Sequence, residues 1–198
     1  GEYAYAGQLI LQGVPPYECV YNMKFPGIYY AYAAIEALFG QTPQAIHFGL
    51  LLINAATIIL LFLLARRVAG RFAAIVASAT FAILSLSQQL FGSQAHATHF
   101  VALAAVAGLL LLLRGIESRR PLVLFLSGMS LGLAGVMKQH GLVFALFGAG
   151  LLLRDTRPQR TPERRIASAA LAAFLAGLAV PFVGMFLVLL IEGVLAKF

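Results

Sequence analysis

Charged side chains are scarce in this chain. Only 11% of its 198 residues are Asp, Glu, Lys or Arg, whereas an ordinary soluble domain carries about 25%. Together with a mean hydropathy of +0.91, this scarcity excludes a water-soluble globule. Cys19 is the single cysteine, so no internal disulfide can form. Tryptophan is absent, which leaves tyrosine as the main residue for anchoring the chain at a membrane surface.

Several catalytic motifs are absent as well. The sequence contains no phosphate-cradling glycine loop, no nucleophile elbow and no zinc motif. A net charge of +7 would suit a nucleic-acid binder if the chain were soluble. Here the positive charges lie in short loops between apolar runs, so membrane topology explains them better and we expect no nucleic-acid partner.

Long apolar runs follow one another from Ala45 onward. Because a helix needs roughly 20 apolar residues to cross a bilayer, residues 45–198 are predicted to form an all-α, multi-pass transmembrane bundle. We expect about six spans, and Pro181 is expected to kink the last one. Their predicted ranges are 45–64, 72–90, 97–113, two crossings within 121–153, and 166–190.

Residues 1–44 have a different composition. They contain all 7 tyrosines of the chain and are interrupted by glycine and proline. The stretches "EYAYAGQLILQG" and "GIYYAYAAIEALFG" are predicted to form two interfacial helices in an outer, extracytoplasmic segment, because tyrosine favours the boundary between lipid and water. This segment and the bundle are expected to be parts of one larger domain.

The basic residues predict the topology. Three loops, 66–71, 114–120 and 154–165, hold most of the lysine and arginine, and the positive-inside rule makes them cytoplasmic. All three can share one side only if residues 121–153 form a hairpin that turns near Lys138–His140. The alternative is one long tilted helix, which would place the third loop outside.

Of the three lysines outside these loops, Lys24 and Lys138 have candidate functional roles. Lys24, in "NMKFPG", could extend its ammonium toward lipid headgroups, or it could bind the phosphate of a lipid-linked substrate. Lys138 could reach the interface from a helix end, or it could mark a functional cluster with Gln139 and His140.

His96 and His99 are spaced so that both lie on one face at the start of a helix. They could be satisfied polar residues, line a substrate cavity, or share a divalent metal, although two ligands do not make a site. Glu2 could be an ordinary interfacial carboxylate.

Several of these stretches together resemble the N-terminal half of the membrane-embedded GT-C glycosyltransferases. The similarity is to the branch of dolichyl-phosphate-mannose protein mannosyltransferases and aminoarabinose transferases. It rests on six stretches, which cover most of the chain up to about Leu153: "GEYAYAGQLILQG", "NMKFPGIYYAY", "ALFGQTPQAIH", "LLARRVAGR", "AHATHF" and "GLAGVMKQHG".

The resemblance implies a sugar donor carried on a polyprenyl phosphate and a lipid, glycan or protein acceptor in a bacterial inner membrane. It assigns donor-phosphate binding to Lys24 and Lys138. The catalytic Asp-Glu pair of the family would precede Gly1, which leaves Glu2 as a weaker candidate for the base and predicts an inactive fragment. The residues expected to line the cavity are Glu2, Tyr3, Tyr21, His96, His99, Gln139 and His140.

Two other functions fit the same residues. A transporter or flippase of a lipid-linked or anionic solute would place Lys138 at the midplane of a broken helix. A non-catalytic membrane subunit would scatter its polar residues around the bundle and use them only for packing.

Overall fold

The computed structural model describes residues 1–20, 24–87, 95–155 and 161–197, and these residues form helices without any strand. Two short 3-10 turns, Gln139–Gly141 and Leu195–Lys197, complete the order. The α-helices are α1 (Glu2–Leu11), α2 (Gly27–Phe39), α3 (Pro43–Leu84), α4 (Ala97–Ser118), α5 (Pro121–Met137), α6 (Leu142–Asp155) and α7 (Thr161–Ile191). The predicted all-α membrane bundle with two preceding helices is confirmed.

Within the described part of the chain, three helices are long and apolar enough to cross a membrane. They are α3, α4 and residues 168–191 of α7, whose apolar 18-residue windows have mean hydropathies of 2.6, 2.1 and 2.6. The helices α5 and α6 are apolar but shorter, so the expected count of six crossings stays a prediction. Pro181 lies within α7 without ending it.

Helix α3 combines the first two predicted spans. Thr42 caps its start by accepting a hydrogen bond from the backbone N–H of Ala45 at 3.2 Å. The helix is interrupted at Gly70, whose φ of 87° belongs to the left-handed region that glycine adopts at low cost. Its second half ends at Leu84, six residues before the predicted end, and residues 88–90 of that prediction lie outside the described residues.

The predicted hairpin after α5 is confirmed. Helix α5 ends at Met137, and Lys138 has an extended backbone with φ −160° and ψ 136°. Beyond the turn, Leu142 packs against Gly135 and Gly148 packs against Leu131, so α6 runs back along α5. The alternative of one long helix through residues 121–153 is therefore wrong.

Small residues allow α4, α5 and α7 to pack closely. Between α4 and α5, the Ser127 hydroxyl donates to the carbonyl of Gly108 at 2.8 Å. Between α5 and α7, the backbone of Gly128 approaches the backbone of Phe174, whose side chain is fully buried. Close backbone approach at small residues is the usual basis of helix association in membranes.

The bundle has two chemically different ends. At one end Arg67 forms an ion pair with Glu117, which brings the first two basic loops together. Leu152 packs with Leu112 and Leu124, so the C-terminal end of α6 lies at the same end. The α1–α2 segment covers the opposite end, where Gly27 packs against Val136. Which end faces the cytoplasm stays a prediction.

Candidate functional site

Tyr3 lies at the centre of an aromatic cluster formed by α1, α2 and the start of α4. Its ring centre is 6.0 Å from that of Tyr29, 5.6 Å from that of Tyr32 and 6.5 Å from that of His96. The Tyr32 hydroxyl donates to the carbonyl of Ala95 at 2.6 Å. These contacts fix α1 and α2 over the N-terminal end of α4.

Lys24 is directed into this cluster. Its ammonium donates to the Tyr3 hydroxyl at 3.0 Å and lies 4.9 Å from the centre of the Tyr3 ring. Its backbone carbonyl accepts a hydrogen bond from the buried Tyr17 at 2.5 Å. The next residue, Phe25, packs against Phe182 of α7. Lys24 is therefore held through its backbone carbonyl by Tyr17 and through its neighbour Phe25 by Phe182. An ammonium that only extended into lipid headgroups would not require these contacts.

Glu2 supplies a carboxylate on the same wall. The Tyr29 hydroxyl lies 3.4 Å from Glu2 Oε1. Burial raises the pKa of Tyr29 above its ordinary value, and the negative charge of Glu2 raises it further. Tyr29 is therefore neutral at pH 7 and can act only as a hydrogen-bonding group.

His96 and both lysines share one electrostatic environment. His96 precedes α4, and its Nδ1 accepts a hydrogen bond from the backbone N–H of Thr98. Burial lowers the pKa of His96, and the charges of Lys138 and Lys24 lower it further. A bound anion would reverse the effect of the lysines, because it would stabilise the positive form of the ring.

Lys138 lies at the break between α5 and α6. It is half-buried, while the neighbouring Gln139 and His140 are exposed. Burial lowers the pKa of His140, and the Lys138 charge adds to the effect. Among the described residues, none forms an ion pair or hydrogen bond with the Lys138 ammonium. This positive charge is thus available to a ligand.

His99 occupies a different place from His96. Its ring is buried between α3 and α4, where Nδ1 lies 2.9 Å from Oδ1 of Asn54. Within the described ranges, no group of three His, Cys, Asp or Glu side chains could hold a metal ion. Tyr21 lies outside the described residues, so its predicted role as a lining residue stays a prediction.

A cavity of about 770 Å³ opens beside Tyr3. Glu2, Tyr3 and His96 line it as the sequence predicts, whereas His99, Gln139 and His140 do not. The sequence alone does not show which way a lone polar side chain faces. The lining residues that were missed therefore include Gln8, Gln41, Thr42 and His47. The one available signal was the cap at Thr42-Pro43, which predicts a helix start and so brings His47 near the end of the bundle.

An apolar helical bundle that gathers cationic, aromatic and carboxylate side chains at one end defines a membrane protein with a candidate polar site at that end. A comparison with protein families matches residues 23–185 to the dolichyl-phosphate-mannose-protein mannosyltransferase family. The chain belongs to this family, and it is a membrane glycosyltransferase of the GT-C type. The matched region includes Lys24 and Lys138 and begins after α1. No curated protein and no solved structure matched the chain.

Proposed function

We propose that this protein transfers a sugar from a polyprenyl-phosphate carrier to an acceptor hydroxyl at the outer face of the membrane. The observation that supports it best is the position of the Lys24 ammonium, which donates to Tyr3 at 3.0 Å within the aromatic cluster that includes His96. The charge of Lys138 also acts on His96. The Lys24 ammonium meets a neutral hydroxyl, and the Lys138 ammonium has no carboxylate partner in the described part of the chain. Two cations without neighbouring carboxylate partners suit a phosphate ligand.

The positive charge of the two lysines suits the step in which the sugar leaves the phosphate. When the bond between the sugar and the phosphate breaks, negative charge builds on the departing phosphate. Cations fixed beside it stabilise that charge more strongly in the transition state than in the bound substrate, which accelerates the reaction. Lys24 is well suited to this role because Tyr3, Tyr17 and Phe25 hold it in place.

The acceptor hydroxyl needs a base within hydrogen-bond reach. Glu2 is the carboxylate that the described structure places in the aromatic cluster. Glu2 lies on the wall that carries Tyr3, next to the proposed phosphate site.

The geometry favours transfer over transport. Lys138, Gln139 and His140 form the turn at the α1–α2 end of the bundle, and the last two are exposed there. A transport site would be expected at the midplane, with access from both faces.

Binding of a short-chain polyprenyl phosphate to the protein in lipid nanodiscs tests this proposal. Lys24→Ala and Lys138→Ala should each weaken binding about 10- to 100-fold, since a hydrogen bond to a charged group contributes about 1.5–3 kcal/mol. Lys197→Ala is the matched control, because Lys197 is an exposed lysine that pairs with Glu18. Equal affinity in all three variants would remove both lysines from donor binding.

A further inference from the structure

The 770 Å³ cavity beside Tyr3 differs in charge from the proposed phosphate site. Its lining among the described residues includes no lysine or arginine, and its single carboxylate is that of Glu2. A phosphate in this cavity would meet the Glu2 carboxylate directly, whereas Lys24 contacts Tyr3 without lining the walls. Its ligand is therefore expected to be uncharged where it contacts these walls.

The polar side chains of the cavity are available to a ligand. Gln8 comes from α1, Gln41 from the connection before α3, and His47 from the first turns of α3. None of these three side chains forms a hydrogen bond with any other described residue. Each amide offers both a donor and an acceptor, and a neutral imidazole offers one of each.

Aromatic rings complete the lining. Tyr3, Tyr5 and Tyr32 all contribute to the cavity. A ring with hydroxyls around its edge and C–H groups on its faces matches such walls, because amides pair with the hydroxyls and tyrosine rings cover the apolar faces. The volume also lies within the roughly 300–1,000 Å³ typical of small-molecule sites.

Tyr3 connects the two sites. Its hydroxyl accepts from Lys24, and the same residue lines the cavity. A sugar in the cavity would therefore lie next to a phosphate held by Lys24.

We propose that this cavity binds a sugar ring, and that Gln8, Gln41 and His47 determine which sugar is accepted. The proposal rests on the proposed function in that the sugar belongs either to the lipid-linked donor or to a glycan acceptor. The two sources offer the same chemistry, hydroxyls around an uncharged ring.

The test uses a fluorescent reporter on the cavity wall. Since the chain has no tryptophan, Tyr5→Trp places a single indole at an exposed lining position. Titration of this variant in nanodiscs with methyl α-mannopyranoside, methyl β-glucopyranoside and a methyl aminopentoside should give a saturable change with at least one of them and none with glycerol. Saturation-transfer NMR of the same glycosides on the unsubstituted protein checks that the reporter has not created the signal.

Matched variants identify the residues responsible. Gln41→Ala and His47→Ala should weaken glycoside binding about 3- to 10-fold, the effect of one lost hydrogen bond. Gln44→Ala is the control, because Gln44 is an exposed glutamine three residues from Gln41 that does not line the cavity. Gln41→Ala and His47→Ala should leave the binding of sugar-free polyprenyl phosphate unchanged, which separates this proposal from the proposed phosphate role.

Competition distinguishes the two sources of the sugar. If the cavity holds the donor sugar, a polyprenyl-phosphate sugar displaces the methyl glycoside and sugar-free polyprenyl phosphate does not. If it holds an acceptor sugar, the glycoside stays bound beside either lipid. The proposal is overturned if no glycoside binds, if Gln41→Ala, His47→Ala and Gln44→Ala are indistinguishable, or if sugar-free polyprenyl phosphate alone fills the cavity.

Discussion

Gly128 of α5 is one of the glycines at which the backbones of α5 and α7 approach most closely. A Cβ built at Gly128 would lie 2.8 Å from the backbone nitrogen of Leu178 and 2.9 Å from the carbonyl carbon of Phe174, and it would also meet the Phe174 oxygen. Optimal separations between such atoms are about 3.5–4.0 Å. All three obstacles are backbone atoms, so no side-chain rotation can relieve the contact.

The substitution Gly128→Ala therefore forces α5 and α7 apart by roughly 1 Å, the shortfall against optimal packing separations. Overpacking of this kind costs about 1–3 kcal/mol. Alanine is a better helix former than glycine by about 1 kcal/mol, which offsets part of the cost. We expect a net loss of up to about 2 kcal/mol in the free energy of unfolding, accompanied by looser packing of Phe174.

Gly184→Ala is the matched control. Gly184 also lies within a helix of the same contact, α7, but a Cβ there would have no atom within 4 Å. The control should be as stable as the parent protein or slightly more stable. Unfolding by sodium dodecyl sulfate in mixed micelles, followed by circular dichroism, measures the difference. If Gly128→Ala were as stable as Gly184→Ala, the close backbone contact between α5 and α7 would be refuted.

Two further predictions concern the α1–α2 segment. Glu36 is 2% exposed, and neither of its carboxyl oxygens has a hydrogen-bond partner among the described residues. Burial raises the pKa of this carboxyl above its ordinary value. The stability that comes from the neutral carboxyl is therefore fully present below the unfolded pKa and is lost as the pH rises through the raised folded pKa. Glu36→Gln should flatten the pH dependence of the unfolding midpoint at pH values above the ordinary pKa of a glutamic acid, and parallel profiles of the two proteins would contradict this. Cys19 is the single cysteine and is exposed, so a membrane-impermeant maleimide added to intact spheroplasts should label it if the α1–α2 end faces outward. Cys19→Ser measures the background labelling. Labelling of Cys19 only after lysis would mean that the α1–α2 end faces the cytoplasm.

Most of the helices could be predicted from the sequence because their signals are local. A run of apolar residues, the cap at Thr42 and the glycine at position 70 each act within a few residues of their own position. The end of α3 at Leu84 was not predicted, since the apolar run continues past it. The turn at Lys138 was predicted from charge topology, and close packing of Gly141 against Ala134 accompanies it in the structure.

The site was predicted less completely. Lys24, Lys138 and His96 could be singled out because polar residues are conspicuous in an apolar chain. His99 carries the same signal but bonds with Asn54 inside the bundle. His99 lies one helical turn after His96. Because α3 packs beside His99, its ring contacts Asn54 inside the bundle, whereas the ring of His96 lines the cavity.

The sequence by itself determined the membrane environment, the helical class and the residues that carry unusual charge, because these depend on composition and short-range pattern. The tertiary structure alone decided that the Lys24 ammonium meets the Tyr3 hydroxyl and that a cavity whose described lining holds no lysine or arginine opens beside it. The physical reason is that these contacts join α1, the segment before α2, and α4. Their relative positions depend on how buried side chains pack across the whole bundle.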